Sequence, residues 1–124
     1  MFNYSTYESS GFAIFNDVAY INIGEVLVYC PKDPSGLWIN CKVAETLNSR
    51  NTEKMREGYI LGVLNSRGVH PIDPTGKPEK EIAIKFRQKA QEVENAGFQR
   101  FSVTLKKIAD NYDREAERII LRFT

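Results

Sequence analysis

The stretch FQRFSVTLKKIADNYDREAERIILRF, residues 98–123, carries two readable faces at once. Phe101, Leu105, Ile108, Tyr112, Ala116, Ile119 and Phe123 recur at steps of four and three, the spacing that lays side chains along one side of an α-helix. A second stripe runs beside it at the same steps: Arg100, Thr104, Lys107, Asn111, Arg114, Arg118 and Arg122. At about 100° per residue its centre lies roughly 110–120° around the helix from the apolar one. The acids Asp110, Asp113 and Glu117 fall on the far side. A basic, hydrogen-bonding edge next to a core-facing stripe suits an anion held at a groove, and equally suits a solvated helix face.

Upstream lies the other half of a helical hairpin. Val69 to Pro78 holds three prolines and a glycine and reads as a loop. Pro78 fits the first turn of a helix, where its missing N–H is not needed. Glu79 and Glu81 sit near the positive end of that helix. Ile82, Phe86, Ala90 (or Lys89 by its stem) and Val93 form the apolar stripe, and Asn95-Ala96-Gly97 supplies C-cap chemistry. A middle helix fits residues 52–65, with Thr52 at its start, Met55, Tyr59 and Val63 inward, and Gly68 just past its end. The rival reading makes Tyr59 to Leu64 a strand. As a helix, Gly58 and Gly62 share a face where another backbone could come close, though simple tolerance of glycine explains them as well.

The N-terminal third reads as β-structure. Gly11–Phe15, Val18–Ile23, Val26–Cys30 and Leu37–Val43 are β-branched, aromatic or alternating segments. Asn16-Asp17 has tight-turn chemistry, and Pro31 to Gly36 breaks the third segment from the fourth. The first ten residues read as a loose arm or an edge strand. The expected fold is therefore α+β: an N-terminal antiparallel meander of about four strands, a middle helix and a C-terminal two-helix hairpin, within one domain spanning residues 1–124.

Composition narrows function by exclusion. The chain has 124 residues, 42% hydrophobic and 27% charged, ordinary values for one globular domain. It contains no apolar run of the roughly 18–20 residues a membrane span needs and no signal-like N-terminus, so a cytoplasmic location is expected. A net charge of +1 argues against a general duplex-DNA binder, which needs a strongly basic face. Cys30 and Cys41 form no CxxC pair and would not face each other across a hairpin, so two small thiols in a reducing compartment are expected. One histidine and two separated cysteines give no metal-ligand spacing. No paired-carboxylate, GxSxG or HExxH pattern appears, so neither catalysis nor a cofactor is expected.

Two candidate sites remain. The first is the basic edge of the last helix, led by Arg100, Arg114 and Arg118, because a guanidinium fork grips phosphate oxygens in two places. Asn95 and Asn111 could meet base or ribose edges, and Phe98 or Phe101 could stack a purine. The second is the loop Asn65-Ser66-Arg67-Gly68-Val69-His70, where backbone N–H groups beside an arginine could wrap an anion. Each also has a plain structural explanation, as a solvated helix face and as a helix end.

The segments EGYILGVLNSRGVHPIDPTGKPEKE (57–81) and VENAGFQRFSVTLKKIADNYDREAERI (93–119) resemble small phage and prophage proteins. The family they resemble is the type-one Thoeris anti-defence sponge. That resemblance implies an N-terminal antiparallel sheet followed by two helices, and an oligomer, a dimer or higher. It also implies sequestration of a cyclic ADP-ribose signal without cleavage, with cyclic oligonucleotides held at separate sites in some members. On that expectation Arg100, Arg114 and Arg118 take the pyrophosphate, Phe101 stacks the adenine, Asn95 and Asn111 meet base and ribose edges, and Arg67 contributes from the loop. The competing expectations are a protein-binding inhibitor of a host defence factor and a nucleic-acid-binding phage accessory protein.

Overall fold

A computed structural model describes the backbone from residue 6 to residue 124 and the side chains from residue 16 onward. The described chain forms five helices: α1 (Thr6–Leu27), α2 (Cys41–Asn48), α3 (Glu53–Ser66), α4 (Lys77–Asn95) and α5 (Gln99–Arg122). None of the described residues is in a strand, so the expected α+β fold with an N-terminal meander is overturned. Residues read as three strands and a turn belong largely to α1, where Asn16-Asp17 lies mid-helix. Cys41-Lys42-Val43, read as the end of a fourth strand, opens α2 instead. Of the expected N-terminal arm or edge strand, residues 1–5 lie outside the described residues, as do the side chains of the first expected strand, Gly11–Phe15.

The reason α1 is a helix lies in α3. Gly24, Gly58 and Gly62 let the two helix backbones touch. A Cβ on Gly58 would overlap the carbonyl of Ile21, and one on Gly24 would overlap the carbonyl of Met55. On Gly62 it would lie 2.8 Å from the Glu25 carbonyl oxygen. The glycine pair of α3 is thus a docking groove for α1, an approach that a pleated strand with alternating side chains could not make. α1 packs chiefly on α3, and α4 on α5, with α2 and α3 also resting on α5.

α5 runs through the centre. Phe101, Leu105, Ile108 and Ala116 are fully buried, and Tyr112 and Ile119 nearly so, as the apolar stripe requires. Phe123 ends up about half exposed at the helix terminus. Small residues bring α4 close: Ala83 and Ala90 are fully buried, and the Ser102 hydroxyl donates to the Ala90 carbonyl at 2.9 Å. Full burial of a leucine or phenylalanine contributes roughly 1.5–3 kcal/mol, so this seam carries a large share of the stability. The hairpin turns at Gly97, with φ 97°, as Phe98 N–H reaches back to Val93 O at 2.8 Å. Gly76 (φ 67°) precedes α4, and a Cβ there would sit 2.9 Å from the Ala116 carbonyl oxygen. The start of α4 is thereby pressed onto α5, which brings the loop of residues 67–76 beside Tyr112 and Ala116.

Between α1 and α2, Asp33 closes the loop by accepting from Ser35 N–H at 2.9 Å and Cys41 N–H at 2.8 Å. Asn40 then caps α2 through Lys42 N–H and Val43 N–H. Asn48, at the other end of α2, accepts from Phe101 N–H at 3.0 Å and so ties the unsatisfied start of α5 to α2. Cys30 and Cys41 are both free thiols.

Candidate functional site

The residues with the most chemistry meet where the α3–α4 loop crosses α5. A cleft of about 290 Å³ is lined there by Arg67, Gly68 and His70 from the loop, and by Asn111, Tyr112, Glu115 and Arg118 from α5. Leu64 of α3 closes its apolar side. The spacing of Asn111, Glu115 and Arg118, at i, i+4 and i+7, places them on one helix edge.

Arg67 is held from behind. Its guanidinium pairs at 2.5 Å with Oε2 of Glu79, a side chain only 1% exposed in the first turn of α4. The other carboxylate oxygen, Glu79 Oε1, is buried without a hydrogen-bond partner. His70 Nδ1 lies 3.0 Å from the Gly68 carbonyl, which can only accept, so Nδ1 carries the proton. Its Nε2 faces Glu79 Oε2 at 3.9 Å. The Tyr112 hydroxyl is pushed to higher pKa mainly by burial; Arg67 pulls against that rise and Glu79 adds to it. Burial of the Glu79 carboxylate is compensated chiefly by Arg67, the condition under which a buried charge persists.

The α5 edge presents donors. Arg114 donates to Asn111 Oδ1 at 2.6 Å, which occupies the amide oxygen and leaves the Asn111 NH2 to face a ligand. Arg118 donates one N–H to Glu115 Oε2 at 3.2 Å and keeps four, in a largely exposed position. Arg114 makes no ion pair with Asp110. Asp110 and Asp113 instead hold Arg87 of α4, at 3.0 Å and 2.5 Å. That bridge draws both acids to the opposite side of α5 from the cleft edge.

Of the seven residues singled out from sequence, Arg67, Asn111 and Arg118 line this cleft, and Arg114 touches it through Asn111. The other three do not join them. Phe101 is fully buried, with the edge of Tyr59 against it at 5.2 Å and Trp38 at 6.1 Å, so no ring face is open for an adenine. Asn95 accepts from Gln91 Nε2 at 2.9 Å and lines a different hollow with Phe98 and Leu37. Arg100 is exposed on the first turn of α5, three turns from Asn111. Glu79, Tyr112 and Glu115 were not singled out as ligand-facing. Glu79 had a legible signal: it precedes Ile82 and Ala83 by three and four, which places it on the inward face of α4.

No family model matches the chain, and no curated protein or solved structure shows significant similarity to it. Among the described residues, no helix is long and apolar enough to cross a membrane, and no cluster of three or more His, Cys, Asp or Glu side chains could hold a metal ion.

Proposed function

We propose that this chain binds a small phosphate-bearing nucleotide, of the cyclic ADP-ribose kind, in the cleft between the α3–α4 loop and α5, and holds it without cleaving it. One observation carries the reading: donors from two separate elements (Arg67 of the loop, and Asn111 with Arg118 of α5) converge on a single concave site, with His70 in its wall. Arg67 is preset by Glu79, so less side-chain freedom is lost on binding. At about 290 Å³ the cleft is at the small end of ligand sites, which commonly run roughly 300–1,000 Å³. It suits a pyrophosphate with one ribose, Glu115 accepting from a ribose hydroxyl, while the base extends beyond it. Holding such a ligand intact asks only for shape and donors. The N-terminal sheet implied by the resemblance to Thoeris anti-defence sponges is not the architecture found, so the reading rests on the cleft. Sequestration of an immune signal in the cytoplasm of an infected bacterium is the role proposed for that binding.

The test mixes the protein with cyclic ADP-ribose isomers and with cyclic di- and trinucleotides, heats the mixture, and analyses the supernatant. Unchanged ligand released only on heating supports sequestration. New products, or ligand that was never retained, refute it. Arg118→Ala should lower retention at least tenfold.

A second reading has its own observation. Val18, Ile23 and Val26 of α1 are 53%, 45% and 69% exposed, and Tyr20 and Tyr29 extend the same apolar supply. A protein-binding inhibitor of a host factor, or a homo-oligomer of two or more chains, would cover such a surface. A stable complex with one host protein but no retained nucleotide would favour the inhibitor, and sedimentation at micromolar concentration reads the self-association.

A further inference from the structure

A second cavity, of about 240 Å³, lies beyond the stacked pair of Phe86 and Tyr112. Phe86 lines this cavity while Tyr112 lines the cleft described above, and their rings are 6.3 Å apart and within 12° of parallel. The walls are Val28 just past α1, Cys30 and Trp38 from the following loop, Tyr59, Val63 and Ser66 from α3, and Phe86 from α4. The lining is mixed in polarity, and one charged group enters it: the ammonium of Lys89.

Lys89 Nζ sits 4.7 Å from the centre of the Trp38 ring and 4.9 Å from that of Phe86. No carboxylate lies within 4 Å of it among the described residues. Burial lowers its pKa, and Lys85 adds to that, with Glu92 opposing. The indole is fixed in turn, because Trp38 Nε1–H donates to the Lys89 carbonyl at 3.2 Å. Ring faces offset part of the cost of desolvating an ammonium, by roughly 0.5–2 kcal/mol, but they do not neutralise it. A half-buried cation beside two aromatic rings, without a carboxylate partner, at a hollow of mixed polarity complements a small ring carrying an acid. An apolar cavity of about 150 Å³ already admits benzene.

We propose that this cavity binds a small aromatic carboxylate, its ring among the side chains of the wall and its carboxylate on Lys89 Nζ. The site is separate from the nucleotide cleft and does not depend on it. Binding here would press on Phe86, whose stacking partner forms part of the cleft wall.

Trp38, the only tryptophan of the chain, forms part of the wall and reports occupancy directly. Benzoate is titrated at pH 7 against benzyl alcohol, its neutral counterpart, by Trp38 emission and by the indole N–H resonance. The expected result is saturable benzoate binding at least tenfold tighter than benzyl alcohol. Lys89→Met should bring the two ligands level, and Lys89→Arg should keep the preference. Equal affinities in the wild type, no saturation by benzoate, or a preference that survives Lys89→Met would each overturn the proposal. If Lys89→Met does not fold, Lys89→Gln and the wild-type comparison decide the point on the same criteria.

Discussion

Replacing Gly58 by alanine tests the packing that sets this architecture, because two effects of opposite sign compete at that position. In an exposed helix interior, alanine is better than glycine by roughly 1 kcal/mol. If α1 did not dock on α3, Gly58→Ala would therefore stabilise the protein by about that amount. In the structure the new Cβ would lie 2.7 Å from the Ile21 carbonyl carbon and 2.8 Å from its Cα, and still nearer its oxygen. Ordinary contact begins at 3.4 Å, and main chain cannot rotate away as a side chain can. The helices must part by the order of 1 Å, an overpacking strain that typically costs 1–3 kcal/mol before lost contacts around Met55 and Tyr59 are added. The net expectation is a loss of about 1–2 kcal/mol, out of a total stability on the order of 6–18 kcal/mol for a domain of this size. Urea unfolding followed by far-UV circular dichroism measures it as a lower midpoint at constant slope. Gly24→Ala should behave alike, and the double variant should cost less than the sum, because helices already parted accommodate the second methyl. A Gly58→Ala protein as stable as the wild type, or more so, would refute the α1–α3 contact and with it the fold of the N-terminal half.

Four further outcomes follow from the same geometry. Arg67→Ala should cost about 3–5 kcal/mol, because it strands the buried Glu79 carboxylate, and Glu79→Gln in the same chain should recover much of that loss in urea titrations. Arg114→Ala and Arg118→Ala, at exposed positions, should shift stability by no more than about 0.5 kcal/mol while weakening nucleotide retention. Phe101→Ala should lower stability by about 3–5 kcal/mol, and Phe101→Leu by clearly less; ligand affinity per folded molecule should stay unchanged in equilibrium dialysis. Asp33 is held below the usual carboxylate range by Ser35 and Cys41, so its contribution is complete above the unfolded value of 3.8 and fades as pH falls through the lower folded value. Thermal melts of Asp33→Asn between pH 7 and pH 2 should accordingly show a flatter acid limb than the wild type.

The C-terminal hairpin was legible because α5 segregates its faces. Leu105, Ile108 and Tyr112 are buried where the stripe predicts, and Gly97 turns the chain where C-cap chemistry predicts. α1 was not legible, since Val18, Tyr20, Ile23 and Val26 stay exposed and blur the helical spacing of Ile21, Gly24 and Val28. β-branched and aromatic residues then read as strands, although their preference for strands is a statement about packing on a pleated surface. What decided the matter was a backbone contact with Gly58 and Gly62, whose shared face was visible but whose partner was not. The cleft divides in the same way. Arg67, Asn111 and Arg118, singled out for their chemistry, line one cleft. Phe101 was misassigned because a core aromatic and a stacking platform look alike in a helical stripe, and only its contacts with Tyr59 and Trp38 separate them.

The pairing of α1 with α3, past the intervening α2, bears on the order in which the chain assembles. α4 and α5 close across three residues, a cheap loop that forms early, whereas α1 must wait for a surface made from a later part of the chain. Amide protons of α1 should therefore exchange sooner than those of α5. Loosening the α1–α3 contact should speed unfolding far more than it slows refolding. The N-terminal helix would thus be a late-docking and early-departing piece, and a chaperone or protease meeting the nascent protein would find it first.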